Sequence, residues 1–263
     1  MYKKIILVTG STDGIGKLTA EMLLEQGCKV ILHGREQSRL QAVAPASSGV
    51  VGRYVANFAA PEEVQNLVRQ LRLNHSVLDA VINNAGLFKA CPTAKSGGID
   101  VRFAVNTIAP YLLTHGVLPM VPTHGRIINV ASAAQAPLDL ERGFNVGPAE
   151  DFTVYAQSKL ALVIWTQALA REIKEGPAII AVNPGSLLAS KIVREGLGLR
   201  GRSLSIGAKF LCEAVLSPQF ADKTGAFFDN DKNAFVALNP ETQNPAQVEL
   251  VINSLSALHH HTN

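Results

Sequence analysis

Apolar residues in this chain fall in short unbroken runs such as IILV (5–8), VIL (30–32), AVI (80–82) and AIIAV (178–182). Runs of that length, rich in Ile and Val, predict strands buried on both faces. They place strands at 4–9, 29–33, 50–55, 78–83, 125–130, 178–183 and 225–228. Between them, apolar positions recur every three or four residues. That spacing predicts helices over 15–26, 36–44, 61–74, 98–121, 153–175 and 204–217, and a last one over 245–258 after Pro245. Strands alternating with helices predict βαβ units, and so an α/β fold with a doubly wound parallel β-sheet and helices on both faces.

No linker and no internal repeat divides the pattern, so residues 1–263 read as a single domain. Two irregular segments stand out, 133–152 and a glycine-bearing stretch at 184–203. Loops of such length in a compact domain are usually functional. The closing HHHTN predicts a disordered tail over about 259–263.

Composition narrows the picture. With 263 residues, 47% hydrophobic and 17% charged, the chain has the material for a large core and not the makeup of a disordered one. No run approaches the roughly 18 apolar residues of a membrane span, and Thr9-Gly10 stop the first run too early for a signal peptide. The net charge of +3 and the lack of a dense basic block argue against nucleic acid as a partner. Cys28, Cys91 and Cys212 are few and scattered. They form no metal-binding or redox pattern, which fits a reducing cytoplasmic setting.

The first strand runs into Thr9-Gly10-Ser11-Thr12-Asp13-Gly14-Ile15-Gly16 and at once into a helix. Glycines at 10, 14 and 16 permit a tight turn and close backbone approach, and the helix N-terminus offers free N–H groups to a pyrophosphate, as in the Rossmann fold. A P-loop is excluded, because Gly16-Lys17 is followed by Leu18 and Ser11 stands where a glycine is required. At the end of the second strand, where an acid would bind the ribose 2′-OH of NAD, the chain reads Leu32-His33-Gly34-Arg35. Gly34 removes the acid, and the Arg35 guanidinium suits a 2′-phosphate. The expected cofactor is NADP(H), with Ser11 as a further hydroxyl donor.

Tyr155-Ala156-Gln157-Ser158-Lys159 lies in a predicted helix, where residues four apart share a face. A free phenol titrates near about 10, and an ammonium beside it favours phenolate. Tyr155 and Lys159 are therefore a candidate acid/base pair. Ser132 closes the strand at 125–130, and Asn84 closes the one at 78–83. Asn106 falls in the helix between those strands. In a parallel sheet such residues gather with Pro184-Gly185 at the carboxyl edge.

TGSTDGIG (9–16), NNAG (83–86), Asn106, Ser132, YAQSK (155–159) and NPG (183–185) together resemble the short-chain dehydrogenases/reductases, in that family's order and near its spacing. The likeness covers the chain from the first strand to about residue 187. A long gap from Ser132 to Tyr155 and the run YAQSKLALVIWTQALAREI look like the retinol-dehydrogenase-like branch. The resemblance implies Tyr155 as general acid, with Lys159 binding the nicotinamide ribose and lowering the tyrosine pKa. It implies Ser132 on the substrate carbonyl and Asn106 holding a proton-relay water. Asn84, Ala85 and Gly86 would line the adenosine and ribose side, and Pro184, Gly185, Ser186 and Leu187 the nicotinamide. One departure is Asn57-Phe58, where the family usually carries Asp-Leu near the adenine.

The expected function is NADPH-dependent reduction of a ketone or aldehyde on a small apolar molecule. A redox sensor that binds NAD(P) without turnover and an NAD-linked alcohol dehydrogenase are the alternatives. The intact Asn106, Ser132, Tyr155 and Lys159 weigh against the first, and Gly34-Arg35 against the second. No metal site is expected. Leu138, Leu140, Phe144, Leu187, Leu188, Ile192 and Val193 suggest an apolar pocket or lid packing, with a lid over about 186–206. Apolar residues on the 153–175 helix, among them Leu160, Val163, Ile164, Trp165 and Leu169, exceed what one buried face needs. They predict a homodimer or homotetramer through that helix.

Overall fold

The computed structural model describes residues 3–89, 95–96, 98–147, 149–189 and 200–260. In chain order the elements are β1 (Ile5–Val8), α1 (Gly14–Glu25), β2 (Lys29–Gly34), α2 (Gln37–Ala42), β3 (Val50–Val55), α3 (Pro61–Asn74) and β4 (Ala80–Asn83). A short hairpin follows, β5 (Lys95–Ser96) with β6 (Ile99–Asp100). After it come α4 (Val101–Phe103), a π-helical turn (Ala104–Ile108), α5 (Ala109–Val117), β7 (Arg126–Val130), α6 (Asp151–Glu172) and β8 (Ala178–Asn183). The chain ends with α7 (Leu204–Leu216), β9 (Phe227–Asp229), β10 (Ala234–Val236) and α8 (Pro245–His260).

Eight strands form one sheet in the order β10-β9-β8-β7-β4-β1-β2-β3, parallel except for the edge pair β9–β10. The order reverses between β1 and β4, which is the switch point where such sheets open a crevice. Alternate strand residues feed two cores, as the continuous apolar runs require. Leu7, Ile31, Val81, Ile127 and Ile179 pack under α3, α5, α6 and α8. Ile6, Leu32, Ile82, Ile128 and Ile180 pack under α1, α2 and α7.

The seven predicted strands are present, and β10 joins them as an eighth. The predicted helix over 98–121 differs most. It starts only at Val101, after the β5–β6 hairpin, and a π-turn interrupts it at Asn106. A single π-turn inside an α-helix often marks a functional site. α8 extends to His260, two residues into the expected disordered tail. Residues 190–199 of the expected lid, Ile192 and Val193 among them, lie outside the described residues, as does Cys91.

The surplus apolar surface of α6 is covered within the same chain. Leu160, Val163, Ile164, Trp165 and Leu169 are all buried, in one cluster with Val251 and Leu255 of α8. The sequence argument for a dimer through this helix therefore lapses, because it could not see that the last helix folds back onto α6. Among the described residues no helix is long and apolar enough to cross a membrane.

Candidate active site

The carboxyl edge of the sheet gathers the predicted residues. Gly10 (φ +64°) turns the chain out of β1, and a Cβ there would sit 2.9 Å from the Ala85 Cα. A Cβ on Gly16 would drive into the Gly10 carbonyl and the Asn84 side-chain nitrogen. These two glycines are thus fixed by close backbone approach. Asp13 caps α1, its Oδ1 accepting the Gly14 N–H at 2.7 Å. Ile15 lies in the first turn beyond that cap. Asn84 donates from Nδ2 to the Thr9 and Gly10 carbonyls (2.9 and 3.3 Å), and Thr9 Oγ1 accepts the Asn84 and Ala85 N–H groups (2.9 and 3.0 Å). The end of β4 is thereby bonded to the glycine loop.

The Ser11 hydroxyl is not free for a phosphate. It donates to the His33 carbonyl (3.2 Å), accepts the His33 N–H (3.0 Å), and is fully buried. Its work is to hold the glycine loop on β2. His33, which sequence reading passed over, takes part in the same junction. Its Nδ1 accepts the Gly10 N–H at 3.3 Å, so the proton sits on Nε2, which donates to the Ala56 carbonyl at 3.1 Å. Burial pulls its pKa down to about 4, and the ring stays neutral. Phe58 stacks beneath it with centroids 4.1 Å apart. Phe58 therefore supports His33 from inside the fold. Asn57 is exposed, with its Oδ1 accepting the Ala59 N–H at 3.1 Å.

The end of β2 explains its own glycine. A Cβ on Gly34 would lie 2.5 Å from Thr12 Cγ2, so the packing of Thr12 leaves no room for a carboxylate. Arg35 follows, exposed. Arg39 on α2 adds a second guanidinium on this side, 4.0 Å from Asp13 Oδ2.

Tyr155 and Lys159 lie on one face of α6 below β7. Lys159 Nζ donates to the Val130 carbonyl at 2.7 Å and stands 5.7 Å from the Tyr155 ring centroid. Burial pulls Lys159 from 10.5 down to about 7. Burial also pushes the Tyr155 phenol above its ordinary value, and a hydrogen bond with Ser132 offsets part of that rise. The lowered tyrosine expected from the sequence is thus not the balance here, because the pocket disfavours both charges. Ser132 Oγ accepts the Ala134 N–H at 3.1 Å, which leaves its own proton to donate. Phe88 packs on the Tyr155 ring at 5.1 Å and was not foreseen.

Asn106 sits in the π-turn with both of its amide donors engaged. Oδ1 accepts the Leu87 N–H (2.7 Å), and Nδ2 donates to the Leu87 carbonyl (2.8 Å) and to Ser158 Oγ (2.9 Å). No donor is left, so the expected water would have to donate to the second lone pair of Oδ1. The side chain ties the exit of β4 to α6 and so positions the pair. A Cβ on Gly86 would lie 3.6 Å from Asn106 Oδ1 and 3.7 Å from Lys159 Nζ, which places all three together.

Past β8, Asp231 holds the turn at Pro184-Gly185-Ser186-Leu187. Its carboxylate accepts from the Ser186 N–H (2.8 Å), Asn183 Nδ2 (3.0 Å) and Arg202 (3.0 Å). Burial alone would raise this carboxyl, but those bonds and the Arg202 charge hold it below its ordinary value. Asn230 Nδ2 donates to the Pro184 carbonyl at 2.9 Å. Of the expected apolar set, Leu138, Phe144 and Leu188 are buried in the body, while Leu140 and Leu187 remain exposed.

The buried Lys159 carries a stability prediction. With a folded value near 7 against 10.5, the folded state binds fewer protons than the unfolded one between those limits. The burial cost is therefore complete below about pH 7 and fades as pH rises toward about 10.4. Urea unfolding from pH 7 to 9.5 should show Lys159→Met losing a rise in stability that the native chain has. Equal pH slopes would mean that the lysine stays hydrated.

Comparison with known proteins bears on this geometry. The short chain dehydrogenase family model matches residues 4–195. Human retinol dehydrogenase 11 is 30% identical over 75% of this chain, and the match spans 65% of that protein's length. Short-chain dehydrogenase chry4 of Gibberella zeae is 34% identical over 68% of this chain and 70% of its own. The crystal structure of a short chain dehydrogenase from Burkholderia cenocepacia in complex with NADP superposes with a TM-score of 0.69 at 26% identity, over 86% of this chain and 95% of that one.

Proposed function

The chain belongs to the short-chain dehydrogenase/reductase family, and on that premise we propose that it is an NADPH-dependent reductase of ketones or aldehydes on small apolar molecules. The observation that carries the reading is the geometry at Tyr155, which shares a face of α6 with Lys159, 5.7 Å from its ring centroid, and hydrogen-bonds with Ser132. Its phenol is held above its ordinary value and so keeps a proton to give at neutral pH.

Residues on three loops would hold the cofactor. The Gly10–Gly16 turn and the N-terminus of α1 suit a pyrophosphate, and the closeness of Gly10 and Gly16 to Ala85 and Asn84 gives that cradle its shape. Arg35 would meet a 2′-phosphate, where Gly34 leaves no room for the acid that would repel it. The Burkholderia neighbour is a complex with NADP. When bound, NADPH supplies a hydride, with its electron pair, to the carbonyl carbon. Ser132 would turn its hydroxyl proton from the Tyr155 oxygen to the carbonyl oxygen as a hydrogen bond, and Tyr155 would transfer its phenolic proton to that oxygen to complete the alcohol. Lys159 then stands beside the phenolate that remains.

Exposed Phe152, one turn before Tyr155, and exposed Leu187, just past β8, support an apolar substrate. A relative bears the name of retinol, an apolar alcohol. The test follows NADPH and NADH consumption across a panel of apolar and charged carbonyl compounds. Turnover confined to small charged substrates would overturn the apolar part, and no turnover on any would overturn the whole.

Cofactor choice has its own expected result. A charge-assisted bond to the 2′-phosphate is worth roughly 1.5–3 kcal/mol, or about ten- to a hundredfold in affinity. Arg35→Ala should weaken NADPH binding by that factor and leave NADH binding unchanged, as read by fluorescence titration. Equal weakening of both would remove Arg35 from the 2′-phosphate.

A further inference from the structure

The family match ends at residue 195, and α8 lies beyond it. We infer that Gln247 of this last helix is a positioning residue for the active site, acting through the loop that carries Ser132. The inference rests on the proposed role of Ser132 and Tyr155 in carbonyl reduction.

Gln247 is buried, and its amide meets both backbone groups of one residue 109 positions earlier in the chain. Oε1 accepts the Leu138 N–H at 2.8 Å, and Nε2 donates to the Leu138 carbonyl at 2.9 Å. Leu138 itself is buried in the larger core. The residues before it are bonded to α6 next to the proton donor. Gln157 Nε2 donates to the Pro137 carbonyl at 3.0 Å, and the Ala136 N–H donates to the Ala156 carbonyl at 3.3 Å. Further up the segment, the Gln135 side chain donates to the Ser132 carbonyl and the Ala134 N–H to Ser132 Oγ. From Ser132 to Leu138 the segment is therefore fastened to α6 on one side and to α8 on the other. Gln247 is the fastening from α8, and it sets where the Ser132 end of the loop lies relative to Tyr155.

A neutral amide is suited to this task, because it offers a donor and an acceptor at the spacing of a backbone N–H and C=O. Methionine offers neither, and would leave both Leu138 groups buried without a partner. A carboxylate keeps the acceptor but turns a second acceptor toward the Leu138 carbonyl. A protonated carboxyl restores the donor, so Gln247→Glu makes the fastening depend on pH. Asp139, beside Leu138, has its carboxylate engaged by the Glu141 and Arg142 N–H groups. Arg142 also pairs with it at 3.8 Å. Taking variant-to-native ratios at each pH cancels the titration of these neighbours and of Glu241 and Glu249 nearby in sequence.

The experiment uses the full chain with a carbonyl substrate found in the panel. At pH 8, Gln247→Glu should raise KM about tenfold, the effect of one lost buried hydrogen bond, with NADPH affinity within about twofold of native. As pH falls to 5.5 the KM ratio should return toward one. Gln247→Met should show the same rise with no recovery. Hydrogen exchange over 132–138 should be faster at pH 8 in both variants, and should slow again at low pH only in Gln247→Glu. A flat KM ratio with native exchange, while Tyr155→Phe still abolishes turnover, would overturn the inference and spare the reductase reading. If the native chain reduces no carbonyl, that reading fails and exchange alone decides: loosening reversed by acid supports the fastening, and unchanged protection refutes it. Should Gln247→Met not fold, the pH series on Gln247→Glu decides by itself.

Discussion

If the proposed reductase reading holds, replacing Tyr155 with Phe should lower kcat/KM for carbonyl reduction by about 10²- to 10⁴-fold, the usual contribution of a positioned general acid, and should leave NADPH affinity close to native. The substitution removes one oxygen and keeps the ring, which packs on Phe88 at 5.1 Å and beneath Lys159. The phenol hydrogen-bonds with Ser132, a half-exposed residue that water can satisfy. Stability should therefore change little, and the loss should appear in turnover. The pH profile gives a second reading. Because burial holds the phenol above its ordinary value, the proton to be given persists well above neutral pH, so a first decline should follow the loss of the Lys159 charge near 7 and a second the ionisation of the phenol. Turnover within tenfold of native in Tyr155→Phe would move the proton donor elsewhere, and a profile that lacks the second decline would point to a group other than a buried phenol.

Much of this site is legible in sequence, for a physical reason. The glycine loop, the Tyr-Lys pair and the strand ends work through residue type at short spacing, and short spacing is what a sequence shows. The strands are equally plain, because burial on both faces demands unbroken runs of Ile, Val and Leu. What stayed hidden depends on partners far along the chain. Ser11 looked like a free hydroxyl until β2 supplied both of its partners. His33 looked like any strand residue, yet it joins the glycine loop to β3. The 98–121 pattern read as one helix because a π-turn keeps the apolar face nearly in phase while it shifts Asn106. α6 looked like an interface because nothing in its own residues shows that α8 covers it. Asn183, Arg202 and Asp231 form the floor under Ser186 from three separate segments.

Arg102→Met should lower the unfolding free energy by about 3–5 kcal/mol, the usual cost of removing one partner from a buried ion pair. Arg102 is buried and forks onto both oxygens of Asp100, at 2.9 and 2.7 Å, while its other arm reaches Asp151 at 2.5 Å. The hydrogen bond with Asp100 is the largest reason its pKa is raised further. Asp100 also caps the helix that follows, accepting the Arg102 N–H at 2.8 Å, and its own N–H donates to the Phe144 carbonyl at 3.0 Å. Without the guanidinium, two carboxylates would share a pocket that water reaches poorly from the Asp100 side. Adding Asp151→Asn to Arg102→Met should recover part of the loss, because one unpaired charge is gone, and the two effects should not add. Arg102 stands one turn before Asn106 and Asp151 one turn before Tyr155, so the pair fixes the register between the two helices that meet at the site. Urea unfolding of the single and double variants at pH 7 provides the measurement. A loss below about 1 kcal/mol, the range of exposed ion pairs, would mean that this cluster is hydrated and that the register is held by Phe103 stacking on Phe144 and the Asn106 amide alone.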